Sequence, residues 1–109
     1  MTLEGELETT VEEGVVLEFV IENVGDEPVE MWFPTAREAD FAVVDGDEEC
    51  WRWSECRLFA QVVTERRLEP GETVGYEAEW RDPRPGEYTA VASLCARGLE
   101  CEVSTDIVI

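Results

Sequence analysis

Alternation between apolar and acidic residues recurs along this chain and restricts it to β structure. Residues 3–11 place Leu3 and Leu7 on one side of an extended segment and Glu4 and Glu6 on the other. Successive side chains of a strand point to opposite faces, so such a segment has one buried and one solvated face. No segment shows the 3.6-residue period of an amphipathic helix. The sequence therefore predicts an all-β protein.

The same pattern predicts where the strands lie. We expect strands at residues 3–11, 15–24, 29–33, 41–44 and 49–53, over much of 58–68, at 73–80, and in a last hairpin from 88–95 to 107–109. Residues 15–24 carry apolar side chains on both faces, which predicts a central strand. Turn residues such as Asp45-Gly46 recur about every 8–12 positions, as in β-sandwiches. With 109 residues and no linker, we expect one antiparallel, immunoglobulin-like β-sandwich domain of about seven to nine strands over residues 1–109.

Large aromatic side chains concentrate in residues 41–61. Trp51 and Trp53 lie two positions apart, a spacing that puts both on one face of a strand. We expect them to anchor the core beneath flanking strands. Trp32 falls on the outward side of its strand, where it is either a binding anchor or covered by a second sheet or loop. We favour the second interpretation.

The charge balance is strongly acidic. The chain has 27 acidic and 8 basic residues, a net charge of −19, and neither lysine nor histidine. Such a surface repels itself at low salt, whereas molar salt shortens the screening length to about 3 Å. We interpret this as adaptation to a salt-accumulating halophile, the alternative being an acidic surface made for a basic partner. No basic patch exists for phosphate contacts, which excludes nucleic-acid binding.

The sequence shows neither a recognisable targeting signal nor the histidine and lysine side chains that most often act as catalytic bases. The first residues lack a basic and apolar leader, and no run approaches the roughly 20 apolar residues of a membrane span. We therefore expect a cytoplasmic protein with no membrane contact. Without histidine or lysine, only carboxylates could act as general bases, so we predict no enzymatic activity and no cofactor. Residues 45–49 offer oxygen ligands but lack the spacing of a calcium loop, so we predict a plain hairpin turn and no metal site.

Four cysteines form two C-x5-C pairs, namely Cys50 with Cys56 and Cys95 with Cys101. Zinc sites prefer spacings of about two to four residues, and disulfides are uncommon in a reducing cytosol. Each pair brackets a predicted turn, which favours local disulfides. Against this, the register that buries most apolar surface in the last hairpin, with Leu94 opposite Val103, puts Cys95 and Cys101 on opposite faces. The pairing is open at this point.

Several motifs occur together in a characteristic order. They are Asp40-Phe41-x-Val43-x-Asp45, Trp51-Arg52-Trp53-Ser54, Phe59-x-Gln61, Leu68-x-Pro70-Gly71-Glu72, Trp80, and Pro85-Gly86-x-Tyr88-Thr89. Over roughly residues 15–95 the chain resembles the intracellular proteinase inhibitors of the BsuPI type. The resemblance implies an immunoglobulin-like sandwich that binds and inhibits a subtilisin-like serine proteinase in the cytoplasm. The four cysteines, Ala60 and the larger acidic excess depart from the family pattern, and no reactive-site residue carries over.

An inhibitor of this kind needs an exposed, rigid loop. The first candidate is the interruption after the tryptophan strand, formed by Ser54, Glu55, Cys56, Arg57 and Leu58. A Cys50–Cys56 disulfide would stiffen it and reduce the entropy lost on binding. Residues 34–40 and 82–86 are further candidates. The alternative function is a non-catalytic adhesion or assembly module, because sandwiches serve many functions. Nothing in the sequence indicates an oligomer, so we take a monomer as the default.

Overall fold

The computed structural model describes residues 2–55 and 57–109, and this part of the chain folds entirely into β-strands and their connections. The nine strands are β1 (Leu3–Val11), β2 (Val15–Asn23), β3 (Val29–Phe33), β4 (Ala39–Asp45), β5 (Glu48–Arg52), β6 (Thr64–Leu68), β7 (Thr73–Trp80), β8 (Glu87–Leu94) and β9 (Glu102–Val108). The prediction of an all-β protein with seven to nine strands is confirmed. The described residues contain no helix with the length and apolar character needed to cross a membrane.

The strands form two facing sheets and a separate ribbon. One sheet has the order β1-β2-β7, the other β5-β4-β8-β9, and β3 pairs with β6 in the ribbon. All pairings are antiparallel. The pairing of β2 with β7 and of β4 with β8 is the connectivity of immunoglobulin-type sandwiches. Strand β2 is central in its sheet, as predicted.

The core lies between the two sheets and is closed on both flanks. Phe19 of β2 and Phe41 of β4 are fully buried and meet edge to face, with ring centroids 6.4 Å apart. On one flank β1 approaches β9 at Gly5, where a Cβ atom would lie 2.8 Å from Phe19 Cε1 and 2.9 Å from Cys101 Sγ. Only glycine fits this contact without displacing a neighbour. On the other flank Trp51 of β5 stacks on Trp80 of β7, with 6.3 Å between ring centroids.

Residues 58–68 do not form one strand. Only Thr64–Leu68 is a strand, paired with β3, and residues 57–63 have no regular secondary structure. The prediction of strand over much of 58–68 is therefore wrong for the first half of that range. The physical reason is that no neighbouring strand pairs with residues 57–63. Two backbone hydrogen bonds still connect them to the fold, from the Arg57 amide to the Ser54 carbonyl (3.4 Å) and from the Ala36 amide to the Ala60 carbonyl (3.0 Å).

The last hairpin has a different register from the predicted one. Ala92 lies opposite Val103, and the Leu94 amide donates to the Cys101 carbonyl (2.9 Å). The predicted pairing of Leu94 with Val103 is thus wrong by two residues. A slip of two leaves every side chain on its original face, so the apolar pattern cannot distinguish these registers. Cys101 is buried against β1, whereas Cys95 is half-buried beyond the end of β8.

Candidate functional site

The tryptophan strand β5 follows a tight hairpin from β4. Gly46 takes a positive φ of 61° in the turn, as the Asp45-Gly46 pair predicts. The register then shifts, because Val43 faces Trp51 whereas Val44 faces Glu49. This β-bulge leaves Cys50 as the extra, exposed residue. The bulge bends β5 at the edge of the sheet, next to the tryptophans.

Trp51 and Trp53 both pack against the core, but neither is fully buried. Trp51 stacks on Trp80 of the opposite sheet with 6.3 Å between ring centroids, and Trp53 meets Phe41 edge to face at 6.0 Å. The outer side of both rings lines a cleft between β5 and β7. The expectation that both tryptophans anchor the core is confirmed. The strands cover only the inner side of the two rings, and their outer side lines the cleft.

A buried carboxylate fixes the chain that follows these tryptophans. Asp40 accepts hydrogen bonds from the Ser54 hydroxyl (2.7 Å), the Ser54 amide (3.2 Å), Arg52 Nη1 (3.0 Å) and the Phe41 amide (2.9 Å). Arg37 lies 3.6 Å away at the rim of this group. The Asp40-Phe41 and Trp51-Arg52-Trp53-Ser54 motifs are therefore the two halves of one hydrogen-bond network. It positions the start of the predicted binding loop.

The network also determines the ionisation of Asp40. Burial raises the pKa of its carboxyl, but the hydrogen bonds from Ser54, Arg52 and the Phe41 amide outweigh burial, so that the pKa lies below its ordinary value. Asp40 is thus charged at neutral pH in the folded protein. Arg52, whose pKa is raised chiefly by its hydrogen bond to Glu49, is the cation beside it.

The Asp40→Asn variant tests this network through pH. A lowered folded-state pKa stabilises the protein above the unfolded pKa of about 3.9, and this contribution disappears as pH falls through the folded pKa. We expect the variant to lose about 1–3 kcal/mol of unfolding free energy at pH 7. The difference from the wild type should shrink steadily below about pH 4. Denaturant melts between pH 2 and pH 7 measure both values.

A matched control uses the other carboxylate on the same arginine. Glu49 also binds Arg52, but its side chain is 37% exposed. We expect Glu49→Gln to cost less than about 1 kcal/mol at every pH, as for exposed ion pairs. Equal losses for the two variants, or a pH-independent loss for Asp40→Asn, would contradict the assigned role of Asp40.

The predicted loop, residues 54–58, is held at its first residue and exposed at its last. Ser54 is held by Asp40, and Glu55 is exposed. Cys56 lies outside the described residues. The Arg57 guanidinium lies over the Trp53 ring, 4.7 Å from its centroid. Leu58, in contrast, is 101% exposed, the accessibility of an isolated side chain.

The apolar exposure continues beyond the predicted loop. We use the name exposed segment for residues 57–63. Within it, Phe59 packs on Trp53 at 5.5 Å between ring centroids, while Val62 and Val63 are 57% and 52% exposed. Sequence reasoning included Leu58 and missed the two valines. In the sequence, Val62 and Val63 stand out only as two adjacent aliphatic residues that do not alternate with acidic ones. That pattern is equally typical of a buried strand.

The other two candidate loops are tied into the fold. In residues 34–40, Glu38 accepts a hydrogen bond from the Tyr76 hydroxyl (2.8 Å) and pairs with Arg66. Burial, followed by the bond to Glu38, raises the pKa of Tyr76. In residues 82–86, the Arg84 carbonyl accepts from the Tyr88 hydroxyl (2.7 Å). Both loops have structural contacts, and neither presents a large apolar side chain to solvent.

The cysteines occupy three different environments. Cys50 is exposed, Cys95 half-buried and Cys101 buried, and no disulfide joins these three described cysteines to one another. Burial raises the pKa of Cys95 and of Cys101. The predicted Cys50–Cys56 pair involves a residue outside the described part of the chain, and the disulfide hypotheses stay predictions. Across residues 2–55 and 57–109, no group of three or more acidic or cysteine side chains is arranged to hold a metal ion.

Trp32 is half-buried and covered in part by a loop, as expected. The Arg97 guanidinium lies 4.9 Å from the centroid of the Trp32 ring, and the Arg97 amide donates to the Trp32 carbonyl (2.8 Å). The loop between β8 and β9 therefore packs on this tryptophan. This leaves the exposed segment as the main apolar surface near the tryptophan strand.

Fold and candidate site together define an immunoglobulin-like β-sandwich with an exposed apolar segment, residues 57–63, that follows the edge strand β5. Residues 2–99 match the family model described as BsuPI, intracellular proteinase inhibitor. The chain belongs to this family of intracellular proteinase inhibitors.

Solved structures share the fold at low sequence identity. The sporulation control protein Spo0M of Bacillus subtilis superimposes with a TM-score of 0.61 at 16% identity, over 99% of this chain and 49% of Spo0M. A β-glucuronidase of Bacteroides uniformis gives 0.50 at 14% identity, over 99% of this chain and 13% of the enzyme. The chain thus spans about half the length of Spo0M. At these identities the likeness concerns the fold alone. No curated protein matches the sequence.

Proposed function

We propose that the protein inhibits a subtilisin-like serine proteinase in the cytoplasm, and that residues 54–58 with their continuation to Val63 contact the enzyme. The observation that carries this proposal is the exposure of Leu58, Val62 and Val63 within six residues of a chain with a net charge of −19. Exposed apolar side chains grouped in this way mark protein-binding sites. The choice of a subtilisin-like enzyme rests on the family resemblance.

The backbone of the exposed segment suits a proteinase cleft. Proteinases bind substrates as extended chains that add to a strand of the enzyme, and residues 57–63 have no strand partner of their own. The remaining backbone groups are available for pairing once three are set aside: the Arg57 amide, which donates to the Ser54 carbonyl, and the Ala60 and Val62 carbonyls, which accept from the Ala36 amide and the Thr64 hydroxyl.

Anchoring on both sides of Leu58 supports inhibition rather than cleavage. Ser54 is held by Asp40 before the segment, and Phe59 is held by Trp53 after Leu58. A segment that is already ordered loses less entropy on binding. The same anchors would keep the two halves of a cut chain in place, which favours resealing over release.

Titration of purified subtilisin in about 2 M KCl, where repulsion between the acidic side chains is screened, tests the proposal. We expect activity to fall linearly to zero at one inhibitor per enzyme, with no loss for a metalloproteinase assayed in the same buffer. Unchanged subtilisin activity at excess inhibitor, repeated with other subtilisin-like enzymes, would contradict the proposal. The non-catalytic adhesion or assembly module would then be the better account.

A further inference from the structure

We infer that Leu58 is the side chain that selects the target, and that the target proteinase has a large apolar specificity pocket. This inference rests on the proposed inhibition of a serine proteinase. It goes further by assigning one residue to specificity and by naming the chemistry of the pocket that receives it.

Both sequence neighbours of Leu58 pack on Trp53, and Leu58 does not. The Arg57 guanidinium lies over the Trp53 ring at 4.7 Å, and the Phe59 ring packs on the same tryptophan at 5.5 Å. In an extended chain, residues i−1 and i+1 share one side and residue i points to the other. Because both neighbours are drawn to Trp53, Leu58 points away from the protein. Its full exposure agrees with this geometry.

The backbone around Leu58 is fixed on both sides. Before it, the Arg57 amide donates to the Ser54 carbonyl (3.4 Å), and Ser54 is itself bonded to Asp40. After it, the Ala60 carbonyl accepts from the Ala36 amide (3.0 Å). The leucine is thus a projecting side chain on a supported backbone, the arrangement that an anchor needs to enter a pocket at low entropic cost.

Competing side chains in the segment are less suited to this role. Arg57 would have to leave its place over Trp53 to enter an acidic pocket. Val62 and Val63 are only about half exposed, and being adjacent they point to opposite sides of an extended chain. They are placed to contact the rim of a cleft, whereas Leu58 can insert.

Charge points to the same class of pocket. Glu55 is exposed three residues before Leu58, on a protein with a net charge of −19. An acidic specificity pocket would be repelled by this surface, whereas an apolar pocket gains by removing a fully exposed leucine from water. Burial of such a side chain corresponds to about a tenfold to hundredfold gain in affinity.

A series of Leu58 variants tests the inference with subtilisin in about 2 M KCl. We expect Leu58→Phe to inhibit within a few-fold of the wild type and Leu58→Ala to raise the inhibition constant about tenfold or more. Leu58→Asp and Leu58→Arg should raise it about a hundredfold or more, because each would bury a charge in an apolar pocket. All four should melt at the wild-type temperature, since Leu58 makes no packing contact.

Val108→Asp is the matched control. Val108 is a 68% exposed aliphatic residue on β9, away from the exposed segment in the sheet order, and its variant should inhibit like the wild type. Inhibition by the wild type with equal constants for all Leu58 variants would overturn this inference and leave the proposed function standing. A lower inhibition constant for Leu58→Arg than for the wild type would contradict the assignment of an apolar pocket. If the wild type inhibits no subtilisin-like enzyme, the proposed function falls and the inference falls with it.

Discussion

Replacing Asn23 with alanine is expected to remove about 3–5 kcal/mol from the free energy of unfolding, a large share of the roughly 5–15 kcal/mol of a typical domain. Asn23 is completely buried at the end of β2. Its side-chain amide donates to the carbonyls of Glu27 (2.8 Å) and Leu68 (2.9 Å), and its Oδ1 accepts from the Gly25 amide (3.0 Å).

These three bonds join the end of a strand to its own turn and to a second strand that is distant in sequence. They connect the end of β2, the turn that follows it, and the end of β6, which lies 45 residues further on. The backbone of Asn23 adds bonds to Gly71 and Glu72 in the next turn. In the alanine variant, the Leu68 carbonyl is left buried without its donor, and each such orphan costs about 1–3 kcal/mol.

Urea unfolding in about 2 M KCl measures the effect, with Glu22→Ala as the matched control on the exposed face of the same strand. We expect the control to stay within about 0.5 kcal/mol of the wild type. Asn23→Asp should lose at least as much as Asn23→Ala, because it removes both donated bonds and buries a charge. A loss below about 1 kcal/mol for the alanine variant would contradict the assigned role.

The alternating strands were predictable because their signal is local. The pattern of Leu3 to Val11 or of Thr73 to Trp80 repeats every two residues, and it is set by which face of a strand meets the core. The turn at Gly46 was predictable for the same reason, since glycine readily supplies the positive φ that a tight hairpin turn requires.

Contacts between distant residues were not predictable in this way. In the sequence, Asn23 is an ordinary residue at the start of a turn. No nearby residue indicates that its side chain bonds to the Leu68 carbonyl. The register of the last hairpin was missed because two registers that differ by two residues bury the same faces. The bulge at Cys50 likewise depends on how β5 meets β4.

The candidate site was predicted in part. The interruption after Trp53 was visible as a break in the strand pattern, and it led to Leu58. The rest of the exposed segment was assigned to a strand, because Val62 and Val63 have the composition of one. Whether such residues are buried depends on a partner strand, and the fold provides none for residues 57–63.

The acidic residues form a pattern that only the sheet register reveals. On the outer face of the β1-β2-β7 sheet, Glu8 lies directly opposite Glu18, and Glu18 lies directly opposite Glu77. Glu4 and Glu22 face each other in the same sheet. Among residues 2–55 and 57–109, no arginine forms an ion pair with any of these five glutamates. Like charges directly opposite destabilise a sheet.

We therefore expect the folded state to require salt. At 0.1 M the screening length is about 10 Å, longer than the spacing of about 5 Å between facing side chains, so the glutamates repel one another. At 1 M it falls to about 3 Å, and the repulsion largely disappears. The far-ultraviolet signal of the folded protein should be lost below roughly 0.5 M KCl. A melting curve unchanged between 0.1 M and 2 M KCl would contradict the interpretation as a halophilic protein.

Glu8, Glu18 and Glu77 form a row across the sheet, and this row allows a local test of the salt requirement. Glu18→Gln removes the middle charge and both close repulsions, and should stabilise the fold at the lowest salt that still supports it by up to about 1 kcal/mol per pair relieved. Glu100→Gln, in the connection between β8 and β9, changes the net charge equally but lies outside the row. If total charge alone caused the salt requirement, the two variants would shift the salt midpoint equally. If the register of the sheet contributes, Glu18→Gln shifts the midpoint further, and the difference between the variants vanishes in molar KCl because screening has already removed the repulsion.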